Sequence, residues 1–241
     1  LSTILFLKSI QKCWRSRHPT HKRQPFKHQK QDSCSQWEGR GWKIYFFYLT
    51  ILFTFFWSWY EHRIVGSGHY WPIIWKSSKK EQIIKKFLKD TQWSDLDFLI
   101  IDTPPGTSDE HIFINKLLNK TNSVTGAIII TTPQEVALND VRKEINFCQK
   151  VNIKILGLVE NMSGFVCNNC NKSTDIFKPT TGGGQALCEE FNIPYWGKLP
   201  IDPRLGICCD QGESFIDNFP DSDATKSLIK MGDLLLDQCD Y

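Results

Sequence analysis

The stretch DFLIIDTPPGTSDEH (Asp97–His111) decides how this chain is to be read. A continuous apolar run leads into Asp102, Pro104-Pro105-Gly106 stiffen a tight turn, and Ser108-Asp109-Glu110 can open a helix. Such a run marks a strand buried on both faces, as in a parallel sheet. A carboxylate at the C-terminal tip of that strand stands where α/β sheets place ligand chemistry, and there it can hold magnesium directly or through water. The position equally suits an acid that merely caps the next turn. His111, at the start of the helix, reads as a packing or switch residue rather than a base.

Outward from this stretch, apolar runs alternate with helical patterns. Strands are expected at Asp97–Asp102, Gly126–Thr131, Ile153–Val159 and near Tyr195–Leu199. Helical spacing covers Lys79–Asp90, Ser108–Leu118, Pro133–Lys150, Gly183–Phe191 and Asp221–Leu236. Strands alternating with helices of this length indicate an α/β fold, a parallel sheet covered on both faces. A nucleotide site on such a sheet also needs a glycine-rich loop with a lysine, whose backbone N–H groups converge on phosphate oxygens. None precedes Asp97 in frame, and QWEGRGWK (Gln36–Lys43) cannot replace it, because two tryptophans and a glutamate bring bulk and the wrong charge.

Residues 1–72 follow a different grammar and are expected to lie outside the α/β domain, which spans 73–241. Their first 43 residues carry ten Lys or Arg against Asp32 and Glu38, a formal +8 that leaves −5 for the other 198. A basic arm can address nucleic acid or anionic lipid. This one lacks the aromatic interleaving of a nucleic-acid reader, so no nucleic-acid partner is expected. IYFFYLTILFTFFWSWY (Ile44–Tyr60) holds seventeen residues without a charge, a short membrane-span pattern that translated noncoding sequence would also produce. A frame slip favours the second origin, and no membrane partner is expected. Dropping one base from a permitted codon set for Asp32–Lys43 yields Ile-Val-Val-Ala-Ser-Gly-Lys-Gly-Gly-Val-Gly, a strand running into a phosphate loop. Two of those glycines are forced, by Trp37-Glu38 and by Trp42-Lys43. The chain opens on Leu1 rather than Met, so its true start is expected upstream.

The nine cysteines form no secreted disulfide framework and suit a reducing compartment. GFVCNNCNKS (Gly164–Ser173) supplies Cys167 and Cys170, whose spacing can grip one metal or one edge of a cluster. Four ligands are normally needed, and the sequence has no second C-x-x-C. A two-fold dimer with this loop at its interface would assemble four thiolates, a set that iron–sulfur and zinc both accept. Cys148, Cys188, Cys208, Cys209 and Cys239 read as helix or loop residues. TTGGG (Thr180–Gly184) follows a loop rather than a strand and makes a weak phosphate cradle.

IIDTPPGTSDEH, TTPQEVALNDVRKEINFCQKV, VENMSGFVCNNC, PTTGGG and LPIDPR, in this order, resemble the cytosolic iron–sulfur cluster assembly ATPases of the Mrp/NBP type, a branch of the ParA/MinD-like P-loop family. KEINFC, FKPTTGGG and CDQGESF look closer to that family's larger eukaryotic subunit than to its smaller partner. The resemblance implies a parallel-sheet P-loop NTPase fold of the SIMIBI/ParA-like type, here truncated, lacking the phosphate-loop strand and carrying an irregular N-terminal appendage. It further implies that Asp102 is a magnesium-linked switch carboxylate and that Asn161, Pro200 and Asp202 lie against adenine. Cys167 and Cys170 would bridge a [4Fe–4S] cluster between two subunits. ATP and Mg2+ would serve as cofactors, in a homodimer or a heterotetramer with the smaller paralogue, delivering clusters to cytosolic and nuclear apo-proteins. Two departures stand out. The phosphate loop has no in-frame counterpart, and Cys13 with Cys34 does not reproduce the larger subunit's N-terminal four-cysteine motif. The other readings are a nucleotide-gated regulator of the ParA/MinD type, acting on a membrane or DNA, and an inert fragment.

Overall fold

The computed structural model describes residues 3–9, 76–90, 98–119, 124–167 and 173–238. The arm beyond Ser9, the Asp32–Lys43 stretch, the apolar run Ile44–Tyr60 and Cys170 lie outside the described residues. The elements are β1 (Thr3–Ser9), α1 (Ser77–Asp90), β2 (Phe98–Asp102), α2 (Asp109–Asn119), β3 (Gly126–Thr131), α3 (Glu135–Lys150), β4 (Ile155–Val166), β5 (Ser173–Thr174), α4 (Gly183–Phe191), β6 (Tyr195–Ile201), α5 (Pro203–Gln211), α6 (Phe215–Asn218) and α7 (Asp223–Gln238).

One sheet organises them, in the order β2-β1-β3-β4, with β6 and the short β5 both paired to β4. β3 and β6 run parallel to β4, and β2 shares their direction because β1 is antiparallel to both β2 and β3. The C-terminal ends of β2, β3, β4 and β6 therefore point to one end of the sheet, where connections to the succeeding helices gather.

The apolar runs are buried on both faces because alternate residues serve different layers. Phe98, Ile100 and Ile128 pack with Phe215, Ala224, Met231 and Leu235, so α6 and α7 cover one face. Leu99, Ile101 and Ala127 meet Ile84, Ile114, Leu118 and Cys148 of α1, α2 and α3. Ile129 and Leu158 meet Leu138, Val141 and Ile145 of α3 and Leu187 of α4. In α3 these apolar positions recur at helical spacing, with Glu135 in the first turn and Lys150 in the last, as the helix dipole favours.

Two departures from the pattern expected of the sequence matter most for the site. α5 has no counterpart among the expected helices, although its ends are written in the chain: Asp202 caps it, Pro203 opens it, and Gly212 closes it in the left-handed conformation. The second is β1. Thr3–Ser9 belongs to a segment that reads as an unpatterned arm, yet its backbone pairs with β2 from Leu5↔Asp102 to Ser9↔Phe98 and with β3 from Thr3↔Ile130 to Leu7↔Gly126. It thereby fills, in reverse direction, the mid-sheet slot that a missing phosphate-loop strand would leave.

Phe6 is paired on both sides, to Ile101 and to Ala127. Proline there removes an N–H from a strand with no free edge, so Phe6→Pro should lower the thermal midpoint clearly. An unchanged midpoint would show that the sheet closes without this strand.

Candidate functional site

Asp102 ends β2 at the shared C-terminal edge, half-buried, and burial raises its carboxyl above the ordinary aspartate value. A nearby cation would relieve that cost, which is the condition a magnesium-binding carboxylate needs. The turn after it is anchored from the opposite element. Glu144, buried on the inner face of α3, accepts a hydrogen bond from the Gly106 N–H at 3.1 Å through Oε1. Gly106 has φ +80, a left-handed conformation that glycine tolerates and that turns the Pro-Pro segment back toward α3.

His111 is fully buried, its ring edge-on to Phe147 at 6.0 Å. Its Nδ1 accepts from the Ser108 N–H at 3.1 Å, so the neutral ring carries its proton on Nε2. Burial depresses its pKa against the opposing pull of Glu110. This is the packing role, with the ring closing the first turn of α2. Beside it, Lys80 of α1 donates to Glu110 Oε1 at 2.7 Å. Burial pushes the Glu110 carboxyl up, but hydrogen bonds from Lys80 and Ser108 outweigh it and take the value down to about 2.

Toward the other side of the sheet, Asn161 lies on β4, Pro200 on the adjacent β6, and Asp202 directly after β6. Asn161 pairs with Leu199, which places Pro200 one residue further along the adjacent strand. Asn161 Oδ1 accepts from the Met162 N–H at 2.8 Å, leaving its amide nitrogen to point elsewhere. Asp202 is committed: its carboxylate caps α5 through the Arg204 N–H at 3.0 Å, takes the Arg204 guanidinium at 2.9 and 2.6 Å, and accepts from Ser222 Oγ at 2.9 Å. Arg204, followed by Ser222, holds its carboxyl below the ordinary range, and Arg204 also lies 4.5 Å over the Phe219 ring. Two strands separate β2 from β4, a span of about 14 Å at sheet spacing. Asp102 and Asn161 thus stand at well-separated points of the strand-end edge.

Cys167 sits at the root of a hairpin. β4 runs twelve residues, past its last pairing with β3 at Thr131↔Glu160, and its end folds against β5 through Phe165↔Thr174 and Val166↔Ser173. Cys167 comes directly after, half-buried, and Cys170 falls in the same six-residue connection by sequence. Chain length alone keeps their Cα atoms within about 11 Å. Among the described residues no group of three or more His, Cys, Asp or Glu is placed to hold a metal ion.

Sequence reading missed Glu144 and Glu160, the two acids that are buried among these elements. Both carried a signal: Glu144 falls on the apolar stripe of α3 between Val141, Ile145 and Cys148, and Glu160 interrupts the buried run of β4. Glu160 Oε2 accepts the Gly184 N–H at 2.5 Å, so the amide that opens α4 already faces a protein carboxylate. TTGGG is consequently a seat for Glu160 rather than for phosphate. Next to it, Thr181 donates to Glu135, and Arg142 ties Glu135 (3.2 Å) to Glu190 (3.1 Å), joining α3 to α4.

A family model described as the ParA-type "NUBPL iron-transfer P-loop NTPase" matches residues 65–235. The fold is that of an α/β protein of the P-loop NTPase class. Within that class, the chain belongs to the NUBPL-type iron-transfer family. It is 59% identical over 165 residues to the cytosolic Fe-S cluster assembly factor NBP35 of Eremothecium gossypii, covering 68% of this chain and 49% of that protein. Its identity to the cytosolic Fe-S cluster assembly factor NBP35 of Kluyveromyces lactis is 62% over 165 residues, covering 68% and 50%. The chain spans about half the length of these relatives. A nucleotide-binding protein of Archaeoglobus fulgidus, solved in complex with ADP, superposes with a TM-score of 0.46 at 33% identity, covering 58% of this chain and 54% of that one.

These geometries set two expected outcomes. The Glu110 carboxyl titrates below its ordinary 4.5, so the Lys80 pair stabilises the fold fully above that pH and ceases to as the pH falls toward 2. Glu110→Gln should cost about 0.5–1 kcal/mol at neutral pH, the pair being partly screened by solvent, and in urea titrations the gap to the parent should close on acidification. Burial, aided by Glu144 and Glu160 respectively, raises the Cys148 and Cys188 thiols to about 12. In the folded chain at mildly alkaline pH, iodoacetamide should modify exposed Cys209 and leave Cys148 and Cys188 intact, as peptide mass mapping would read.

Proposed function

We propose that the chain is a cytosolic scaffold on which [4Fe–4S] clusters are assembled and passed to cytosolic and nuclear apo-proteins. The observation that carries this reading is the hairpin. β5 pins the end of β4 so that Cys167 emerges at the strand C-terminal edge, with Cys170 three residues on. The described residues assemble no third and fourth ligand around them. Two thiolates on such a connection complete a four-sulfur cage when a second copy, or the smaller paralogue, presents its own pair. The cluster is cargo, and each release exchanges one thiolate ligand for another on the client.

The same end of the sheet offers a surface for the second subunit. Ile112 opens α2 after β2, Val136 opens α3 after β3, and Met162 lies in the extension of β4; these are 53%, 71% and 42% exposed. Apolar side chains exposed at that end of the sheet suit a homodimer or a heterotetramer with the paralogue. Asp102 would hold Mg2+ at one side of this edge, with Asn161 and Pro200 toward the adenine at the other. Asp202 supports that side through Arg204 and α5. Bound Mg2+ would neutralise phosphate charge, and Asp102 orients it; the phosphate loop itself belongs to the family and has its counterpart only in the shifted frame of Asp32–Lys43. The family-matching domain from about residue 73 is part of this reading, with Thr3–Ser9 supplying one strand of its sheet.

Anaerobic reconstitution with ferrous iron and sulfide tests it. The chain, alone or with the smaller paralogue, should bind four iron and four sulfide per pair of chains, and Cys167→Ser or Cys170→Ser should abolish this. Absence of iron in both preparations, or zinc held in its place, would overturn the reading.

A further inference from the structure

We infer that Glu160 is the positioning residue of the thiol hairpin: its buried carboxylate fixes where β4 leaves the sheet and therefore where Cys167 projects. This role rests on the scaffold function proposed for the chain.

Glu160 is 2% exposed, at the last residue of β4 that pairs with β3 and opposite Lys198 of β6. A carboxylate is costly to bury unless its oxygens are satisfied. Here Oε1 accepts from Ser163 Oγ at 2.6 Å, Oε2 accepts from the Gly184 N–H at 2.5 Å, and the Lys198 ammonium lies 3.9 Å from Oε1. Room for the group comes from glycine: a Cβ on Gly183 would stand 2.5 Å from Oε2, and one on Gly184 would stand 3.1 Å from it.

The carboxylate holds the irregular part of β4. Pairing with β6 shifts register between Asn161↔Leu199 and Phe165↔Ile201, and inside that interval Met162 has φ +56 and Gly164 φ +90. A non-glycine residue in the left-handed region persists only when its surroundings over-determine it. Ser163 lies between the two, and its hydroxyl is tied to Glu160. A bulge bends its strand and re-aims the residues beyond it. Here those residues are Phe165 and Val166, which pair with β5, and then Cys167. Glu160 thus joins the root of the hairpin to the N-terminus of α4 through two hydrogen bonds to one charged group.

Ser163→Ala cuts the hairpin side of this bridge and leaves the Gly184 bond, whereas Ser163→Thr keeps the hydroxyl. Glu160→Gln replaces one accepting oxygen with a donor. Each variant of the full chain is reconstituted anaerobically with ferrous iron and sulfide, and iron loss to a ferrous chelator is timed alongside the thermal midpoint. Ser163→Ala and Glu160→Gln should lose iron about tenfold faster, the scale of effects one shell removed from a metal. The Ser163→Ala midpoint should stay near that of the parent, and Ser163→Thr should restore retention. Parental retention in both variants overturns the inference, as does faster loss that tracks a lowered midpoint in both. If the parent takes up no iron, the scaffold reading fails. The positioning role is then judged by amide hydrogen exchange across 161–166: faster exchange in Ser163→Ala sustains it, and unchanged exchange overturns it.

Discussion

A strand in the middle of a buried sheet must be hydrogen-bonded along both edges, because no water reaches an unpaired backbone there. β3 is such a strand, and its pairing with β1 and β4 sets the order of the sheet. β2 and β3 are continuous apolar runs sandwiched between helices, and the interval between them is filled by Thr3–Ser9 running against both. Once the interval is closed, β2, β3, β4 and β6 present their C-terminal ends along one line. Asp102, the adjacent pair Glu160 and Asn161, and Pro200 then share an edge from three separate places in the sequence. The ordinary occupant of that interval would be a phosphate-loop strand. An antiparallel strand satisfies the same backbone groups, since ladder pairing depends on spacing and register rather than on what the strand delivers at its tip.

The strand-end edge is held by acids buried beneath it. Glu144 reaches from α3 to the turn after Asp102, and Glu160 reaches from β4 to the start of α4. In each case a buried carboxylate satisfies a backbone N–H at the end of the sheet, Gly106 in the turn after β2 and Gly184 in the first turn of α4. Such bonds are stronger than neutral ones and directional. Loops at the end of an α/β sheet must keep a fixed geometry without being packed into the core, and these two carboxylates supply it. The glycines at 106, 183 and 184 are the complementary half of the device, allowing backbone and carboxylate to meet.

Family membership and geometry converge on the thiol hairpin. Relatives named as Fe-S cluster assembly factors share most of the described domain, and the β4–β5 pairing sets Cys167 just past the end of β4. A pair of sulfurs supplies half of a four-ligand set, and in the proposed reading an apposed subunit would supply the rest. Buried Cys148 and Cys188 take no part, since burial holds their thiols protonated and locks them in the α3 and α4 packing.

Much of this was legible in the chain itself. FLIID and GAIIIT could only be strands covered on both sides, and the stripe Leu138, Val141, Ile145 could only be the inner face of a helix. Hydrophobic period is a local property, and it survives whatever the tertiary context does. The C-x-x-C and the acid at the tip of β2 were visible for the same reason. Other features were not local. The bend that turns β4 into a hairpin depends on Glu160 meeting Ser163 and Gly184, the latter twenty-four residues away along the chain. The engagement of Asp202 with Ser222 likewise joins α5 to the approach of α7. The seating of Thr3–Ser9 between β2 and β3 answers a vacancy that no window around residue 6 can display. Sequence by itself determined which segments bury which faces; only the tertiary structure decided which buried charges find partners, because a hydrogen bond across the fold has no periodicity to announce it.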